Sequence, residues 1–168
     1  SLVTTGSGTI DIALDSPTDT DYMDHFEINL VGDTGVIASQ KTGKDTSFAA
    51  GVEEAGTYYV LVHSSDSYRY NDEEYSLTAT STAGDTSSFE TEDNNYYHQA
   101  DTLTSGVPIK GQLANLNDID AYSLVTTGPG TIDIAFDSPT DTNYMDHFEI
   151  ILSEETTYGT NKIASQKT

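Results

Sequence analysis

Cysteine is absent from the 168 residues, and only 6 Lys and Arg stand against 28 Asp and Glu. Without cysteine the chain has neither a disulfide framework nor a thiolate for catalysis or metal binding. The formal charge of −22 excludes a basic, phosphate-tracking surface, so nucleic acid is not an expected partner. No apolar run is long enough to span a bilayer as a helix, and no signal-like segment precedes the first strand pattern. Membrane insertion is therefore not expected, and the stretch reads as an internal part of something larger. What is abundant is acid. Self-repulsion of this size opposes a compact state unless cations neutralise it, and hard divalent ions take oxygen ligands, which makes Ca2+ the expected cofactor. Acidity alone would also fit disorder, but 11 Tyr, 5 Phe and a clear alternation of apolar residues argue for a buried core.

Self-similarity organises the chain. Ser1 to Leu30 returns as Ser123 to Leu152, a period of 122 residues, with differences only at Ser7/Pro129, Leu14/Phe136, Asp21/Asn143 and Asn29/Ile151. The copies rejoin at IASQKT, residues 37–42 and 163–168, where the offset has grown to 126. The four additional residues fall within 153–162, and a length change there marks a surface hairpin. The repeat is thus seen out of phase. Residues 1–80 read as the C-terminal portion of one unit and 90–168 as the N-terminal portion of the next. The small polar stretch STAGDTSSF, 81–89, reads as the linker.

The pattern within each portion is β. Ile10, Ile12 and Leu14 alternate with Thr9, Asp11 and Ala13, and Phe26, Ile28 and Leu30 do the same in HFEINL, giving each strand one dry face. TYYVLVHS (57–64) and EYSLTAT (74–80) are rich in aromatic and β-branched residues. VPIKGQL (107–113), DAYSLVTT (120–127), TIDIAF (131–136) and HFEIIL (147–152) continue the series, and YYHQADTL (96–103) is the one helical candidate. Short strands with Gly, Asp and Ser turns predict an all-β, antiparallel β-sandwich.

Two acidic constellations stand out. The first is FETEDNN, residues 89–95, with NDID at 117–120. Glu90, Glu92, Asn94 and Asn95, joined by Asp118 and Asp120, offer the mixture of carboxylate and amide oxygens that six- to eight-coordinate calcium takes; the same residues also fit a solvated acidic linker with Asn turns. The second is DSPTDTDYMD (15–24), repeated as DSPTDTNYMD (137–146). Asp15, Asp19, Asp21 and Asp24, and their counterparts Asp137, Asp141, Asn143 and Asp146, can gather oxygens on a loop. It lacks the glycine and terminal glutamate of an EF-hand, and an Asx-rich turn without metal fits it equally.

In order and spacing, ExEDNN, Ala100, VPIKGQL, NDIDAYSL, GTIDIAF, GTYYVLV and EYSLTAT together resemble the bacterial pre-peptidase C-terminal domains, which include the collagen-binding domains of clostridial collagenases. The resemblance implies a small jelly-roll sandwich with calcium held by the acidic segment and the NDID aspartates. It points to Glu90, Glu92, Asn94, Asn95, Asp118 and Asp120. The chain departs from the family at Asp93, where proline is common.

Catalysis is not expected. His25 and His147 follow Asp24 and Asp146, but adjacent strand residues face opposite ways, and no nucleophile or zinc-type spacing accompanies them. Tyr68, Arg69, Tyr70 and Tyr75 on an acidic loop fit either a contact patch for a glycan or peptide or an ordinary cover for the sandwich end. The expected role is a calcium-stabilised structural or adhesive repeat, extracellular or at the cell surface, with neighbouring repeats as partners and head-to-tail self-assembly among the options. The rival is an accessory domain of a secreted protease that binds collagen, a glycan or a peptide.

Overall fold

The computed structural model describes residues 1–20, 23–68, 71–138, 148–157 and 159–168. They form two compact units, Ser1–Thr126 and Thr127–Thr168. The protein is all-β, as its alternation predicts.

The first unit runs through β1 (Leu2–Thr4), β2 (Gly8–Asp15), β3 (Phe26–Val31), β4 (Val36–Thr42), β5 (Thr46–Val52), β6 (Gly56–Ser64) and β7 (Ser76–Ala83). Four strands make one antiparallel sheet in the order β1-β6-β3-β4, and three make the other as β5-β2-β7. Period two explains the sandwich. Along β2, Ile10, Ile12 and Leu14 are buried while Asp11, Ala13 and Asp15 are exposed, and β3 buries Phe26, Ile28 and Leu30. These six side chains share one core with Ala38, Ala50, Val52 and Tyr58. Each fully buried Ile or Leu contributes roughly 1.5–3 kcal/mol relative to exposure. The central position of β3 is explicit in its register, with Ile28 opposite both Gln40 and Val62.

After β7 the chain carries a 3-10 turn at Tyr97–Gln99, β8 (Asp101–Thr102) and β9 (Tyr122–Ser123). The expected helix at 96–103 is thus a single turn running into a strand. Its cause is local: Asp101 N donates to Ala121 O and Leu103 N to Ser123 O, so β8 is taken into a parallel pair with β9. Residues 107–113 contribute only a bridge, Phe89 to Lys110. By packing, the two compact units divide after Thr126. Strand β7 extends to Ala83, and residues 90–126 lie against the first sandwich, where the Gln112 side chain exchanges two hydrogen bonds with the Ser39 backbone. This division describes packing and leaves the repeat phase read from the sequence as it stands.

In the second unit, β10 (Glu149–Thr156) and β11 (Gly159–Lys167) form an antiparallel hairpin with a bulge between Leu152 and Ser153, matching the bulge between Leu30 and Val31 in the first copy. The four inserted residues lie towards the hairpin tip, as a surface length change predicts. TIDIAF, residues 131–136, joins no ladder among the described residues, although its first copy is the centre of a sheet.

Candidate metal centre

The site is built on the segment that leaves the sandwich. Glu90 N donates to Lys110 O at 2.8 Å, and Lys110 N donates to Ser88 O at 3.0 Å, which fixes the backbone on both sides of Phe89. The Glu90 side chain then turns inward and is buried. Its Oε1 accepts from Gln112 N, and its Oε2 accepts from the Tyr122 hydroxyl at 2.9 Å and from Asn94 Nδ2 at 3.4 Å. Gly111 is what permits this approach. A Cβ there would overlap the Tyr122 hydroxyl and stand 2.7 Å from Glu90 Oε2.

Asn94, 0% exposed, is oriented by acids. Its Nδ2 donates to Glu90 and, at 3.0 Å, to Asp101 Oδ2; Asp101 also holds Thr91 through the backbone N at 2.9 Å and the hydroxyl at 2.8 Å. With the amide nitrogen committed to two carboxylates, Oδ1 is the end left over. It is buried and has no hydrogen-bond partner, and the same is true of Glu92 Oε1 and Asp120 Oδ1. The fourth such atom is Gln99 Oε1, whose Nε2 donates to Asp93. Buried oxygens without donors are costly and uncommon.

Glu90, Glu92 and Asp120 each bring one carboxylate oxygen to within 4.8 Å of the others. Among the described residues no lysine or arginine forms an ion pair with any of them. Burial, followed by the charges of Asp118 and Glu90, pushes the Glu92 carboxyl up to about 7. Burial and the Glu90 charge push Asp120 up to about 8. Tyr122 is raised as well, by burial and by Glu90, so it remains a hydroxyl that donates to the glutamate. Glu92 and Asp120, whose charged forms are disfavoured by burial and by neighbouring acids, are relieved by a proton or a cation.

The six residues that the sequence pointed to divide by role. Glu90, Glu92 and Asp120 converge, and Asn94 sits among them with a free oxygen. Asp118 and Asn95 serve the turn: Asp118 accepts from Ala114 N at 2.5 Å and Ile119 N at 3.1 Å, and Asn95 Oδ1 accepts from Ile119 N at 2.9 Å. Asp101, Gln112 and Tyr122 position the site without having been expected to. A signal existed for Tyr122, which follows Asp120 by two residues and so shares its face in extended backbone.

On the second constellation, Asp15, Asp19 and Asp24 are exposed, and Glu90, Glu92 and Asp120 make the one metal-capable group among the described residues. The 15–24 loop is held by Thr18 Oγ1 donating to Gly43 O at 2.7 Å and Ser16 N donating to Asp45 Oδ1 at 2.9 Å, the bonding of a polar turn. Asp137 is exposed too, while Asp21, Asp141, Asn143 and Asp146 lie outside the described residues. No family model, curated protein or solved structure matches the chain, and the family resemblance stays a reading of its motifs.

Proposed function

We propose that the protein is a calcium-stabilised structural or adhesive repeat module, working outside the cell or at its surface in series with neighbouring repeats. One observation carries the calcium part. Glu90, Glu92 and Asp120 converge in a partly buried site where three oxygens, on Glu92, Asn94 and Asp120, have no donor. Carboxylate and amide oxygens without sulfur or imidazole are the ligand set of a hard cation, and with backbone oxygens or water they reach the six to eight that calcium takes. The ion would staple the 90–94 segment to the 118–120 turn, joining two stretches that the sandwich strands do not themselves hold.

The structural part rests on chemistry that is missing from the site. The Glu90 carboxylate is taken up by Tyr122, Asn94 and the Gln112 backbone, and among the described residues neither cysteine nor histidine joins the acidic group. Near-identical segments a repeat apart favour units in series, and a charge of −22 keeps such units from collapsing together. Export follows from the cofactor, because a site of this kind is best served where calcium is plentiful.

Calorimetric titration of the EDTA-treated protein with CaCl2 tests the reading. The expected result is saturable binding at one strong site, accompanied by a higher melting temperature. A melting curve that is the same in excess EDTA and in millimolar calcium would remove the proposal's basis.

A further inference from the structure

The two outer faces of the first sandwich are not alike. On the β5-β2-β7 sheet, Asp11, Asp15, Thr78 and Thr80 face outward, the polar pattern of a surface that meets water. On the β1-β6-β3-β4 sheet, Val3, Tyr59 and Leu61 face outward and are 67%, 51% and 50% exposed. The register draws them together. Tyr59 lies opposite Val31, Val31 opposite Val36, and Val3 opposite Thr57, the outward neighbour of Tyr59 along β6. The sequence of β6 carries the same message, because Tyr58, Val60 and Val62 of the run YYVLV pack on the core while Tyr59 and Leu61 point away from it. A continuous apolar strand is the pattern of one covered on both faces. The second copy keeps an apolar outward residue on the strand beside it, with Ile151 opposite Ser165 where the first copy has Asn29 opposite Ser39.

Charge narrows what lies on this face. The chain carries −22, yet Glu27 is the only acid in the four strands, and Lys41 of the neighbouring strand lies 3.3 Å from it. We propose that the outer face of the β1-β6-β3-β4 sheet is a self-association surface whose occupant is the same face of a second copy of this chain. A strongly basic partner would be drawn to the acidic surfaces instead, whereas this neutral apolar patch is where two copies meet with the least repulsion. Packed face to face at about 10 Å, the two sheets cover Tyr59 and Leu61 of each copy, and a two-fold arrangement can set Glu27 of one against Lys41 of the other. Four strands about 4.8 Å apart and some six residues at about 3.3 Å span roughly 20 by 20 Å. That falls short of the roughly 800 Å² per partner of a standard interface, so single chains pair weakly. The inference goes beyond the calcium reading and makes no use of it.

Sedimentation velocity on the chain tests the face, with EDTA present throughout so that ions cannot bridge acidic surfaces and the calcium titration stands or falls separately. Between about 10 μM and about 1 mM protein the average mass should rise towards that of a dimer. The rise should be steeper in about 500 mM than in about 50 mM NaCl, because salt screens the repulsion between two acidic chains and leaves apolar contact intact. Leu61→Glu and Val3→Glu, both on the outward face, should each raise the dissociation constant by about 10-fold or more, since the two-fold brings each new carboxylate into an apolar, already acidic pairing. Thr80→Glu, on the opposite outer face, should leave it unchanged. Two outward-face variants are used so that a folding defect in one, seen in its thermal melt, does not decide the matter. A chain that stays monomeric at about 1 mM in high salt would overturn the proposal. So would association that survives both outward-face glutamates or is lost in Thr80→Glu, either of which places the contact elsewhere.

Discussion

At the scale of single residues, the candidate metal centre separates side chains that would touch an ion from those that hold them. Glu92→Gln and Asp120→Asn each remove a negative ligand. Each should weaken calcium binding by more than the roughly 10–100-fold typical of losing a supporting hydrogen bond, and Tyr122→Phe should fall inside that range. Calorimetry on the three variants decides the order, and equal losses would place Tyr122 on a par with the acids. Proton linkage gives an independent check. In the metal-free protein Glu92 is raised to about 7 and Asp120 to about 8, above the ordinary carboxylate value of about 4. The folded state therefore keeps protons that the unfolded chain has released. That stabilisation is complete below about pH 4 and disappears as pH rises through 7 to 8. The metal-free melting temperature should accordingly fall between about pH 5 and 8, and the Glu92→Gln, Asp120→Asn double variant should flatten the fall. A metal-free protein that grows more stable over this interval would contradict the burial of these carboxyls. The converging residues Glu90, Glu92 and Asp120 lie in stretches legible in the sequence, because ExEDNN and NDID are dense in oxygen. Gly111 was not legible, since its importance comes from where Glu90 and Tyr122 happen to point, which no local pattern encodes.

Among the elements, alternation carried the reading furthest where a strand is covered on one face and paired on both edges. Strands β2 and β3 satisfy both conditions, and their dry faces coincide with the apolar positions. The same alternation at 131–136, with Phe136 in place of Leu14, predicted a strand that does not form, because a period-two pattern states what a segment will bury and not whether a partner is at hand. VPIKGQL shows a related limit: it is drawn into serving Glu90 and Ser39 through isolated hydrogen bonds and one bridge rather than a ladder. Paired substitutions make the contrast measurable. Leu30→Ala removes a fully buried side chain and should cost about 2–5 kcal/mol in denaturant unfolding. Its counterpart Leu152→Ala, on a strand that pairs with β11 alone among the described residues, should cost less than about 0.5 kcal/mol, in keeping with a partly exposed site. Similar costs at the two positions would mean that the second copy already has a closed core.

For the molecule as a whole, the question is whether calcium acts at one place or merely screens a charge of −22. Screening is indifferent to ion identity at matched ionic strength and falls off over about 8–10 Å. A site of converging oxygens is not indifferent, because Mg2+ demands near-octahedral geometry and dehydrates reluctantly. At a free calcium concentration about 100 times the dissociation constant, specific binding stabilises the native state by about 2.7 kcal/mol, and the gain continues to rise with the logarithm of concentration. Thermal melts in CaCl2, MgCl2 and ionic-strength-matched NaCl therefore distinguish the two cases. Calcium should raise the midpoint well beyond the other salts in the natural chain, and Glu92→Gln should bring the three curves together. Were all three salts to stabilise the natural chain equally, the converging carboxylates would be only one part of a diffuse negative surface. The order imposed on residues 90–126 would then have to come from hydrogen bonds, those of Gln112, Tyr122 and Asp101 and the β8–β9 pair.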